Sequence, residues 1–345
     1  MANSILLLLL ILLLVIAGCS QSVSPSEIST LTTQSSVELT PGPPNPGPPL
    51  PPSIPLTPGP PNPGPPLPPS PPSLPQPNLE PSSCSSLEIE YNFDPPSSLI
   101  DKKVDVFGVV VFATGGFSEA KTKHVANVLA KYLDNDENGI PDNPLVVQTM
   151  IEERAGMILF VDEDEEEVLF DRWDHDYYDP DKLQTQWADE TNPSREFDAT
   201  IEEVLHVITD VGYDNAYPDV FGEVSGSTLA NLMDNARGGH FEETSIYNEN
   251  RPWIGKSAVP SSYPPGAWYT YYDKTCTYDC MITEYIYWGL TSILGAQETR
   301  SHEIGHEWEL HTKQLVKESD PGLYNLLTDP QWGLPTELPD GSYCK

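Results

Sequence analysis

Residues 199–210 read ATIEEVLHVITD, and the spacing within this stretch predicts a helix. Ile201, Val204, Leu205 and Ile208 recur at three- and four-residue steps, which places them on one apolar face. Glu202 and His206 stand four apart, so their side chains lie one above the other and can reach a single ion. Further along, residues 281–295 (MITEYIYWGLTSILG) read as a second, more apolar helix that carries one acid, Glu284.

The run Glu202-Glu203-Val204-Leu205-His206 resembles the H-E-x-x-H helix of zincin metallopeptidases, where two residues four apart hold zinc and the Glu between them polarises the attacking water. Glu202 stands where that motif has its first His. The continuation His206-Val207-Ile208-Thr209-Asp210 is similar to the end of the thermolysin-type helix, and Glu284 resembles the third ligand that a gluzincin supplies from a later helix. The resemblance implies a zincin-like fold with Zn2+ held by Glu202, His206 and Glu284. It further implies Glu203 as general base and a peptide or protein substrate. Tyr278, six residues before Glu284, is the candidate donor to a developing oxyanion, one place closer than the tyrosine of lethal-factor-type gluzincins. Two carboxylates and one imidazole leave a metal less Lewis-acidic than the usual set, so the expected activity is lowered, shifted to another metal, or lost. Glu203-x-x-His206 also has the di-iron spacing of ferritin-like bundles, without a matching second pair.

A competing motif, His302-Glu303-Ile304-Gly305-His306, matches H-E-x-x-H to the letter. Arg300 precedes it and Glu307 follows it, and residues 297–313 (QETRSHEIGHEWELHTK) read as an exposed helix. His302, Glu303 and His306 are therefore the alternative metal and catalytic set. The uncharged flanks of residues 202–206 favour the earlier motif, because a dry cavity is part of what activates water on zinc.

Upstream, residues 103–114 (KVDVFGVVVFAT) read as one buried strand, and residues 118–133 as a helix capped by Ser118. The loop 134–145 then resembles an EF-hand or thrombospondin-type calcium loop. Asp134, Asp136 and Asn138 would be Ca2+ ligands, Ile140 would offer its carbonyl, and Asp142 would bind directly or through water, with Gly139 making the sharp turn. Leu145 stands where a sensor loop has its bidentate Glu, which points to a weaker structural site suited to millimolar extracellular calcium. Residues 162–167 (DEDEEE) lack ligand spacing and read as a solvated face.

Ahead of this domain, residues 5–16 form an unbroken apolar run of signal-peptide length that ends Ile16-Ala17-Gly18-Cys19. The ending resembles a bacterial lipobox and implies lipidation of Cys19, so the chain is expected to be exported, either as an outward-facing, membrane-anchored lipoprotein or as a secreted protein. Residues 19–83 read as a disordered linker. Its second part holds a near-repeat (40–56 and 57–74) and 22 of the 38 prolines. Fully extended as polyproline II, that stretch reaches roughly 120 Å at about 3.1 Å per residue. All 17 Lys and Arg and all but three of the 52 Asp and Glu follow residue 83. So acidic a domain disfavours nucleic acid as a partner and suits a salty medium or bound divalent cations. With Cys19 set aside four cysteines remain, and Cys276 with Cys280 and Cys84 with Cys344 are the disulfide candidates. The expected architecture is α+β: one zincin-like domain, 84–345, with a largely helical C-terminal half behind a proline-rich stalk. A surface-tethered or secreted zinc metallopeptidase-like protein with a structural calcium site is the first expectation. A non-catalytic calcium-binding or adhesion module is the alternative.

Overall fold

The Val- and Phe-rich run expected as one strand is a hairpin. Strands β1 (Ile100–Val106) and β2 (Val109–Thr114) pair antiparallel, with Val106 opposite Val109 across a two-residue turn. Phe107 (φ 57°) and Gly108 (φ 95°) both adopt the left-handed region, which a tight hairpin turn requires at its two central positions. Gly108 does so without a Cβ penalty, and Asp105 Oδ1 accepts its N–H at 3.0 Å. The structure, a computed structural model, describes residues 87–173, 178–241, 243–245 and 256–344. The signal-like segment 1–18, Cys19, the linker up to residue 83 and Cys84 lie outside the described residues.

β2 runs parallel to β3 (Gly156–Phe160), and β3 parallel to β4 (Leu183–Trp187), giving a mixed sheet in the order β1-β2-β3-β4. Parallel neighbours need crossover connections, and helices supply them. α1 (Glu119–Leu133) and α2 (Pro144–Glu152) lie between β2 and β3, and α3 (Glu163–Phe170) between β3 and β4. Each begins on a side-chain cap: Ser118, Asn143 ahead of Pro144, and Asp162. β2 and β3 are buried along their whole length because the sheet is covered on both faces. Val104, Val109, Val111, Met157 and Leu159 face the main core with Val125 and Leu129 of α1. Phe112, Ile158 and Phe160 pack on the other side with Leu169 and Trp173. The acidic run 162–167 is not wholly solvated: Glu165 Oε2 turns inward to accept from Thr114 Oγ1 (2.8 Å) and Val161 N (2.6 Å).

The second half is helical. α4 (Thr200–Val207) continues into a π-helical segment, Ile208–Tyr213. Gly212 permits the close approach of α2 there, since a Cβ would stand 2.8 Å from Val146 Cγ1. α5 (Thr228–Arg237) is followed by α6 (Tyr278–Leu294), which is buried on nearly every side and so reads as apolar all round. α7 (Lys313–Ser319) and α8 (Pro321–Leu327) close the core. Cys276 and Cys280 are bonded at the start of α6, their Cα atoms 5.3 Å apart. Cys344 is also disulfide-bonded. Among the described residues, no helix is long and apolar enough to cross a membrane.

Candidate metal centre

The first turn of α4 is pinned to both the sheet and α1. Asp198 accepts from Thr200 N (3.2 Å) and Asn192 N (2.8 Å), and pairs with His124 Nε2 at 2.5 Å. Gln186 of β4 donates to Thr200 Oγ1 at 2.8 Å, and Tyr132 of α1 donates to the Ile201 carbonyl at 2.9 Å. So fixed, α4 presents Glu202 and His206 to α6, which presents Glu284. One ligand atom from each of these three residues lies within 4.8 Å of the others. His206 Nε2 stands 4.0 Å from Glu284 Oε1, too far for a hydrogen bond. Two donors each about 2.0–2.2 Å from one zinc can stand at most about 4.4 Å apart, so this gap fits a shared ion. His206 Nε2 and Glu284 Oε2 are both buried without a hydrogen-bond partner. Glu203 lies beside the group. Its Oε2 is 3.9 Å from His206 Nδ1 and accepts from Gln184 Nε2 of β4 at 2.5 Å.

Burial dominates the electrostatics. Desolvation pushes Glu202 up to about 7, against the opposing pull of a hydrogen bond from Tyr287 and the charge of Arg300. Glu203 is raised well above the ordinary glutamate range by burial and then by Glu202, and Glu284 by burial and then by both neighbouring carboxylates. Burial draws His206 down to about 4, so its imidazole is neutral with a lone pair available for a metal. Three crowded carboxyls, Glu203 and Glu284 buried and Glu202 half-buried, beside a neutral imidazole must hold protons or share a cation.

The loop between α1 and α2 forms a second group. Asp134, Asp136 and Asp142 each bring an oxygen within 4.8 Å of the others. Asp134 is fully buried and accepts from Gly139 N (2.7 Å), Asn138 N (3.1 Å) and the Tyr343 hydroxyl. Gly139 takes φ 83°, the turn expected of it. Asn138 Oδ1 accepts from Ile140 N at 2.8 Å. Burial raises both Asp134 and Asp142, and for Asp142 the nearby Asp136 and Asp134 charges add to it.

The letter-perfect motif is not gathered into a site. Its only helical turn, Ser301–Ile304, stops at Gly305, so His302 and His306 do not share a helix, and His302, Glu303 and His306 are all exposed. Nor are residues 297–313 an exposed helix. Gln297, Arg300, Ile304, Trp308 and Leu310 are buried, and Arg300 is enclosed by Phe197, its guanidinium carbon 3.8 Å from the ring centroid, with Glu303 at 2.6 Å. Tyr278 turns away from the metal group, its hydroxyl 3.0 Å from Asp234 Oδ2. The tyrosines at the group are Tyr271, whose hydroxyl reaches Glu284 Oε1 at 3.5 Å, and Tyr287, edge-on to His206 with centroids 5.6 Å apart. The sequence reading named neither of them, although Tyr287 stands three residues after Glu284 and so shares its helix face. No family model matches the chain, and neither does any curated protein or solved structure.

Proposed function

We propose that residues 84–345 form a metal-dependent peptidase-like domain acting outside the cytoplasm, with a zincin-like arrangement of its metal helices and a calcium-stabilised loop. The observation that carries this reading is the pair of buried, unpartnered atoms, His206 Nε2 and Glu284 Oε2, in a group with Glu202 whose ligand atoms lie within 4.8 Å of one another. Glu202, His206 and Glu284 would hold the ion, and zinc is the first candidate because tetrahedral N/O sites suit it. When bound, the metal supplies Lewis acidity toward a substrate carbonyl and toward water. Glu203, anchored through Gln184, is placed to take a proton from water and hand it on to the leaving amine. Tyr271 is placed to donate to charge developing on the substrate oxygen. Nearby positive charge opposes the burial effect, so a bound metal would favour the ionised carboxylates over the protonated forms that burial favours. The calcium-binding or adhesion alternative needs the 134–145 loop but none of the α4–α6 chemistry.

The test is metal content. Purified protein is expected to contain about one zinc per chain by elemental analysis, and Glu284→Gln, which keeps the shape of the side chain but removes its charge, is expected to lower zinc affinity at least ~100-fold. A parent chain that takes up no zinc sinks the peptidase reading and leaves the adhesion module. For the loop, Asp134→Asn is expected to abolish the calcium-induced rise in melting temperature at millimolar calcium while leaving zinc content intact. A calcium titration followed by thermal melting checks this, and an unshifted parent protein removes calcium from the account.

A further inference from the structure

Replacing the first His of a metal helix by Glu202 exchanges a rigid ring for a side chain that rotates freely, and a ligand that wanders weakens a site. The surroundings of Glu202 counter this. Tyr287 is fully buried on α6 one turn beyond Glu284; its hydroxyl lies close enough to the Glu202 carboxylate to pull that acid down against the effect of burial, and its ring meets His206 edge-on. That hydroxyl is itself held. Gln297 Nε2 donates to it at 3.3 Å and to Thr291 Oγ1 at 3.0 Å, and the Arg300 guanidinium lies nearby. Gln297 Oε1 in turn accepts from Arg300 Nη1 at 2.8 Å, and Arg300 Nη2 is fixed by Glu303 at 2.6 Å.

We infer that Tyr287, backed by Gln297 and Arg300, is the positioning residue that fixes Glu202 as a ligand and thereby sets how tightly the site holds its divalent metal. The inference rests on the metal reading of Glu202, His206 and Glu284. With the phenol beside it, the Glu202 side chain would be restrained in the orientation that turns its carboxylate toward the ion. Partners that orient ligands in this way are typically worth 10- to 100-fold in metal affinity. Gln297, Arg300 and Glu303, at the start of the exposed H-E-x-x-H and just before it, thus serve the earlier motif by bracing Glu202.

The experiment measures zinc affinity of the full chain by competition with a chromophoric chelator, alongside thermal melting of each metal-free protein. Tyr287→Phe keeps the ring and its packing and removes only the donor. It is expected to weaken zinc binding ~10- to 100-fold and to shift the visible spectrum of the cobalt-substituted protein, with little change in metal-free melting. Arg300→Ala is expected to weaken zinc in the same direction by a smaller factor, and it provides the readout if Tyr287→Phe does not fold. A parent chain without zinc affinity overturns the metal reading and this inference with it. A parent chain that binds zinc while both variants bind within ~3-fold of it overturns this inference alone. So does a loss of affinity matched by an equal loss of metal-free stability, which marks a structural role only.

Discussion

The Glu203→Gln protein is expected to hold its full complement of zinc and to hydrolyse peptide ~100- to 10,000-fold more slowly than the parent chain. The Glu203 carboxylate stands 3.9 Å from His206 Nδ1 and is not one of the three residues whose ligand atoms lie within 4.8 Å of one another. It is therefore free to move a proton without releasing the ion. Gln keeps an oxygen for the Gln184 hydrogen bond, so the link between β4 and α4 survives the change. What is lost is the ability to accept a proton. Elemental analysis and steady-state turnover on one preparation separate the outcomes. Unchanged turnover would remove Glu203 from the chemistry, and lost zinc would make it a ligand instead.

The second large effect is a pH dependence of stability that zinc reverses. Glu202, Glu203 and Glu284 hold protons more tightly folded than unfolded. Their contribution is complete below the ordinary glutamate value of 4.5 and falls as pH rises, for Glu202 through about 7. At about 1.4 kcal/mol per unit, Glu202 alone accounts for on the order of 3 kcal/mol. His206 works the other way. Drawn down from 6.5 to about 4, it stabilises fully above 6.5 and loses that contribution as pH falls toward 4. Three carboxyls outweigh one imidazole across this window, so the metal-free protein is expected to melt roughly 5–10 °C higher at pH 5 than at pH 7.5. Zinc requires ionised carboxylates, so the loaded protein should show the opposite slope. Melting curves at both pH values, with and without a zinc-selective chelator and at constant calcium, check the sign. A metal-free protein that melts higher at pH 7.5 would show that these acids are not held protonated by burial.

Residues 199–210 and 281–295 were legible because apolar side chains recur at helical steps along both, and Glu202 and His206, four apart, share one side of the first. The helix over residues 118–133 was legible in the same way, through its Ser118 cap, whereas the helix at Glu163–Phe170 was not, because its acidic run reads as a solvated face. The hairpin was not, because Gly108 sits inside an unbroken Val-rich run and only its neighbour's positive φ reveals the turn. Arg300 misled because a charge ordinarily reports a surface. Here an aromatic ring covers the guanidinium and a carboxylate answers it. Tyr278 misled because it was judged by distance along the chain. Six residues at 100° each carry it about 240° around α6 from Glu284, whereas Tyr287 at three residues stays on the same side. Tyr271 lies in the non-helical lead-in to α6 and Gln184 on β4, so no helical periodicity could have delivered them.

The end of the chain is wrapped over the acidic loop. Asn135 Oδ1 accepts from Thr336 N and Glu337 N, Asn127 donates to the Gly341 carbonyl, the Tyr343 phenol rests on Asp134, and Cys344 is covalently tied. On the calcium reading, loop occupancy and the docking of residues 336–344 are one linked equilibrium: a cation that draws the aspartates together would also tighten that segment, and cutting the segment loose would weaken the hold on the cation.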